Sequence, residues 1–129
     1  EHVGAIDNRA SFALHTQEKN GMNGKNWHAT HFFDYPLSND FHVYGVEWCQ
    51  EEKDGKDCIR FTVDGVEYAT VWESKIDDTV SWPFCQPHYF ILNCAIGGNM
   101  GGKVDDAIFN QKRIMYVDWV RVYQRQEQP

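Results

Sequence analysis

The sequence has no apolar run long enough to cross a bilayer. Its longest, Tyr89 to Leu92 resuming at Cys94 to Ile96, falls far short of the roughly 18 residues that suggest a span and reads instead as a buried strand. Nor is there a surplus of positive charge. Twelve Lys and Arg against 19 Asp and Glu leave a formal charge of −7, with no basic cluster to release counterions from phosphates, which argues against nucleic acid as a partner. A neutral or cationic ligand stays open, and so does an acidic surface that only confers solubility. Common catalytic and metal motifs are missing too. No C-x-x-C suggests a zinc ribbon or a thioredoxin-like site, no G-x-S-x-G surrounds a serine, and the six histidines show no H-E-x-x-H spacing. Repeats, Pro- or Ser-rich linkers and composition steps are also absent, so the chain reads as one piece of one domain.

What the sequence does have is β-strand patterning. At 129 residues with 42% apolar and 15% aromatic content, it is long enough for a core. In "CIRFTVDGVEYATVW", Ile59, Phe61 and Val63 alternate with Arg60 and Thr62, and Asp64-Gly65 supplies a two-residue hairpin turn. "DFHVYGVEW" precedes it as a β-branched and aromatic run, "PHYFILNCAIGG" reads as a continuous apolar strand, and "IMYVDWVRVYQ" alternates again. "NGMNGKN" reads as a loop, and helical periodicity is absent. The pattern predicts an antiparallel all-β sandwich. The four cysteines permit three full pairings. Cys49 and Cys58 flank the polar stretch "QEEKDGKD" and could face each other across a hairpin within disulfide reach. Cys85 and Cys94 surround an apolar strand and read as buried free thiols. The five tryptophans and six tyrosines suit stacking on sugar rings and equally suit a sandwich core.

The order and spacing of "EHVG", "LHT", "FHVYGVEW", "IRFTVDGVEY", "WPFCQPHYFILNCAIGGNMGG", "VDDAIF" and "MYVDWVRVYQ" resemble the C-terminal half of family 16 glycoside hydrolases, the bacterial laminarinases (endo-β-1,3-glucanases) most of all. The resemblance covers nearly the whole chain. It implies a β-jelly-roll sandwich of two antiparallel sheets, concanavalin A-like, of which residues 1–129 supply about half as the C-terminal part of a single catalytic domain. It further implies a secreted, periplasmic or cell-surface retaining endo-glucanase acting on laminarin-type or mixed-linkage β-1,3-glucan.

The family signature, E-x-D-x-x-E followed by H-V-G, aligns its last glutamate with Glu1 and so implies that Glu1 is the acid/base, with the nucleophile five residues upstream. On a strand, E-x-D shares one face, and the second glutamate joins that face only if a β-bulge inserts a residue. The resemblance also implies that His15, in "ALHT", hydrogen-bonds the acid/base or a substrate hydroxyl. Trp27, Trp82 and Asn93 are substrate-binding candidates, with core packing as the alternative for Trp82 and loop support for Asn93. His28, His31 and His42 match no family site and read as surface or loop residues. No cofactor is expected for catalysis. Asp118, on the strand face of Val120 and Val122, needs a partner for its charge; the resemblance implies that it helps ligate a structural calcium, against the alternative of a salt bridge. Gly97, Gly98, Gly101 and Gly102 are expected to permit positive φ or close backbone approach at the cleft rim.

Met100 stands where the family usually has tryptophan, Cys85 where it often has aspartate, and Asn110 where proline is usual. The partner expected is a β-glucan, together with the missing N-terminal half of the domain or a complementary chain. A chain beginning at Glu1 is expected to be inactive alone. The alternatives are a non-catalytic β-glucan-binding module on the same fold and a family member acting on another polysaccharide such as agar or carrageenan.

Overall fold

The computed structural model describes residues 1–73, 82–110, 112 and 114–126, and they divide into two compact units, Glu1–Ile91 and Leu92–Pro129. The first holds two antiparallel sheets. One pairs β1 (Arg9–Leu14) with β2 (Trp27–Phe32), in the register Arg9↔Phe32 through Leu14↔Trp27. The other orders β3 (Tyr44–Lys53), β4 (Lys56–Val63) and β5 (Val66–Trp72) as consecutive hairpins.

The turns explain the hairpins. Asp64 and Gly65 take φ of 52° and 78°, the left-handed pair that a two-residue connection of matching twist requires. Asp54 and Gly55 repeat it, at 53° and 68°. The polar stretch between Cys49 and Cys58 is therefore mostly strand, β3 running out to Lys53 and β4 resuming at Lys56.

Period-two alternation then builds the core. Ala10, Phe12 and Leu14 of β1 point inward and meet Ile59, Phe61 and Val63 of β4, with Val71, Leu37, Phe33 and Trp82 closing the cluster. Phe61 is its hub, its ring 5.3 Å from Phe12 and stacked at 5.9 Å and 8° on Trp27. Across the ladder, however, the partner of Phe61 is Val46, and the two share a face while Phe61 is 8% exposed and Val46 64%. The inner face of β3, which also carries Tyr44 and Trp48, is open to solvent.

Two strands expected from the sequence are not found as such. Residues 87–96 and 114–126 belong to no ladder among the described residues, and their large side chains stand out, Tyr89 at 84% and Tyr123 at 81% exposure. β-branched and aromatic residues favour an extended backbone, but a strand forms only where a neighbour takes up its N–H and C=O groups. Gly97, Gly98 and Gly102 do adopt positive φ, flanking the helical turn Gly98–Gly101, whereas Gly101 does not.

Candidate functional site

Glu1 is held in register against β1. Glu1 N donates to Ser11 O at 2.8 Å and Ser11 N to Glu1 O at 2.9 Å, and His2 bridges antiparallel to Ala10. The His2 ring secures this stub from both sides, with Nδ1 3.2 Å from Arg9 O and Nε2 3.3 Å from Asp7 Oδ1. Asp7 is fixed in turn by the Ser38 hydroxyl and the Ser38 N–H. The Ser38 hydroxyl bond is the main cause of an Asp7 carboxyl held below its usual range, with partial desolvation opposing it and the Ser38 N–H and His2 adding to it.

Directly opposed residues of an antiparallel pair share a face. Glu1 therefore lies on the side of Ser11 and Ala13, away from the core to which Ala10, Phe12 and Leu14 are turned. A cleft of about 250 Å³ runs along this edge and reaches the core, lined by Glu1, Ser11, Phe12, Ala13 and His15 on one side and by Tyr44, Gly45, Val46, Phe61 and Thr62 on the other. Burial, followed by the charge of Asp64, pushes the Tyr44 hydroxyl above its ordinary value, so that wall presents a neutral phenol.

His15 lies on this cleft, but its ring is engaged by the loop after β1. Gly21 N donates to His15 Nδ1 at 3.0 Å, which puts the neutral ring's hydrogen on Nε2. The approach is close: a Cβ on residue 21 would stand 3.2 Å from His15 Cε1, so a larger residue would require the ring to shift by a few tenths of an ångström. The loop is stapled internally. Asn20 Oδ1 accepts from Met22 N and Asn23 N, and Asn23 Oδ1 accepts from Asn20 N and Lys25 N. The Ser11 position and His15 are four residues apart, roughly 13 Å of strand.

The other residues singled out in the sequence fall elsewhere. Trp27 faces inward and stacks on Phe61, while Trp82 sits in the core, edge-on to Phe84 at 4.9 Å. Asn93 and Asp118 lie in the second unit on exposed segments that form neither helix nor strand. Among the described residues no group of three His, Cys, Asp or Glu side chains is placed to hold a metal, so the described donors around Asp118 do not by themselves fit a calcium. Cys85 and Cys94 are free thiols but exposed, not buried as expected. Among the described residues, neither borders a paired strand.

Three histidines passed over in the sequence have defined places. His28 is an exposed β2 residue in register with Ala13, on the Glu1 side of the sheet together with Thr30 and Phe32. His31, on the other face of β2, packs 4.1 Å from Tyr68. The side chain of His42 is only 10% exposed, and its Nδ1 lies 2.7 Å from Asp64 Oδ2. Burial pushes the Asp64 carboxyl up, but the hydrogen bonds from Val43 N–H and His42 outweigh it and hold the group below its usual value. The alternation of "WHATHF" was the available signal for His28; the 22-residue separation of His42 from Asp64 hid the other.

An all-β sandwich with a strand-borne carboxylate over a cleft suits recognition of an extended chain of sugars. The chain belongs to family 16 of the glycosyl hydrolases, whose family model matches residues 1–121. It is 35% identical over 130 residues to a beta-glucanase from Rhodothermus marinus, an alignment covering 95% of this chain and 42% of that protein. It is 36% identical over 95 residues to glucan endo-1,3-beta-glucosidase A1 of Niallia circulans (70% of this chain, 13% of that one). To the clotting factor G alpha subunit of Tachypleus tridentatus it is 40% identical over 88 residues, covering 66% and 11%. The chain thus spans less than half the length of the curated relatives it matches. No solved structure matches it significantly.

Proposed function

We propose that the protein is a retaining endo-glucanase of β-1,3-linked glucans, laminarin-type or mixed-linkage. Glu1 serves as acid/base and a glutamate five residues upstream as nucleophile. The observation that carries this reading is the double hydrogen bond between Glu1 and Ser11, which puts the carboxylate on the sheet face it shares with His15 in one cleft. The names of the Rhodothermus and Niallia relatives support the substrate class.

In this mechanism two carboxyl groups stand roughly 5–5.5 Å apart. One attacks the anomeric carbon while Glu1 protonates the leaving oxygen, and Glu1 then takes a proton from the water that hydrolyses the glycosyl-enzyme. The signature's aspartate separates the two pKa values. His15 contributes by anchoring the Gly21 loop at the cleft, its Nε2–H left as a donor for a substrate hydroxyl. Trp27, stacked on the cleft residue Phe61, supports the cleft from the core side.

Residues 1–129 constitute the C-terminal part of one domain, completed by a preceding segment or a complementary chain. The open inner face of β3 and the 42% coverage of the Rhodothermus protein support this. The protein acts outside the cytoplasm, secreted, periplasmic or at the cell surface. A structural calcium held in part by Asp118 would draw its other oxygen ligands from beyond the described residues. A Tm raised by calcium and lowered by a chelator, lost in Asp118→Asn, is its test.

The second reading is a non-catalytic β-glucan-binding module. The likeness to a clotting-factor subunit, whose name is not that of a hydrolase, favours it. Proton NMR of laminarin digestion by the protein carrying its upstream segment separates the two. The catalytic reading expects the β-anomer to appear first; the α-anomer first would refute retention, and binding without any product would establish the module instead.

A further inference from the structure

We infer that Cys49 and Cys58 are placed to form a cross-strand disulfide that staples the β3–β4 hairpin in an oxidising compartment. The two face each other in the ladder, Cys49↔Cys58, on the sheet face that also carries Glu47 and Arg60. The hydrogen bond from Asp64 N to Val43 O supplies one of the two bonds of a hydrogen-bonded pair at Val43 and Asp64, Val43 N turning to the Asp64 carboxyl in place of the other. The register runs unbroken from Tyr44↔Val63 to Cys49↔Cys58. Pair types alternate along such a ladder, so Cys49 and Cys58, six positions on, are again a hydrogen-bonded pair, with Cα atoms about 5.5 Å apart. That separation lies at the common value for disulfides.

Local structure favours closing the bond. The ladder is irregular between Cys49 and Lys53, so the backbone beside Cys49 can adjust while the Asp54–Gly55 turn keeps the strands together. Arg60 Nη1 donates to Cys49 Sγ at 3.6 Å, which holds the sulfur over the sheet face. Cys49 carries a free thiol and is half-buried, whereas Cys58 is buried. Access therefore orders the chemistry. The Cys49 thiolate attacks a sulfur of oxidised glutathione and expels one glutathione thiolate. The Cys58 thiolate then attacks the Cys49 sulfur of the mixed disulfide and expels the second. Two thiols lose two protons and two electrons, one S–S bond forms, and one oxidised glutathione becomes two reduced molecules.

Trypsin reads the result directly, because Lys53 and Lys56 lie between the two cysteines. The reduced protein is equilibrated in a glutathione redox buffer, alkylated and digested. The expected product is peptide 26–53 joined to peptide 57–60, separating on treatment with dithiothreitol. Titratable thiols fall from four per chain to two. Cys49→Ser, which leaves the buried Cys58 in place, should abolish the joined pair. Recovery of both peptides singly alkylated, or either cysteine joined to Cys85 or Cys94, overturns the inference. The glucan reading is unaffected by either result.

Discussion

Phe61→Ala and Val46→Ala form a matched pair of perturbations, because the two side chains face each other on one side of the β3–β4 ladder. Phe61 is 8% exposed and packs on Phe12 and Trp27, whereas Val46 is 64% exposed. Removing the Phe61 ring forfeits its transfer free energy and leaves a cavity between the sheets that neighbouring aromatic rings cannot fill by small shifts, at a cost of about 3–5 kcal/mol. Truncating Val46 removes atoms already in contact with water and should change stability by no more than about 0.5 kcal/mol. Guanidinium unfolding followed by tryptophan fluorescence measures both, the free energies compared at equal slope. A Phe61→Ala cost below about 1 kcal/mol would refute the assignment of Phe61 as the hub of the core. A Val46→Ala cost equal to that of Phe61→Ala would show the inner face of β3 to be covered in this chain. In a protein extended by the upstream segment that cover is expected, and the Val46→Ala cost should rise to about 1–2 kcal/mol.

The hairpin turn gives a second test. Gly65→Val places a β-branched residue at φ 78° and should lower stability by about 1–3 kcal/mol, while Gly4→Ala, with open space around it, should be near neutral in the same unfolding assay. Acid should also destabilise the fold. Asp64 is held below its ordinary value in the folded state, so its stabilisation is present above the unfolded value of about 3.9 and is lost as pH falls through the lower folded value. Asp64→Asn should flatten the fall in the denaturation midpoint below about pH 4, and an unchanged profile would sink that attribution. His15→Ala should free the Gly21 loop and speed tryptic cleavage at Lys19 and Lys25, as should Asn23→Ala; cleavage at the wild-type rate in both would contradict the anchoring geometry.

Local signals were legible and non-local ones were not. The Asp64-Gly65 hairpin could be read because turn residues that accept positive φ stand between two alternating runs. The same signal at Asp54-Gly55 was obscured by charged neighbours, although backbone pairing at a hairpin end needs no apolar side chains. β2 was missed because its two histidines read as polar loop, yet His31 is a half-buried ring packed on Tyr68. The apolar segments 87–96 and 114–126 show the converse, strand-like composition without a paired neighbour among the described residues. At the site, Glu1 and His15 could be singled out only by resemblance. Their meeting in one cleft depends on the Glu1–Ser11 pairing, and the hold of Gly21 on His15 depends on a loop whose course the sequence does not spell out.

The central claim, that Glu1 is the proton donor of a β-1,3-glucanase, is tested most directly by reducing-sugar release from laminarin. The protein is assayed with its upstream segment, as wild type and as Glu1→Gln. The account expects the wild type to release sugar and the variant to be slower by about 10²–10⁴-fold, the usual contribution of a positioned general acid. A Glu1→Gln variant as fast as the wild type would contradict it.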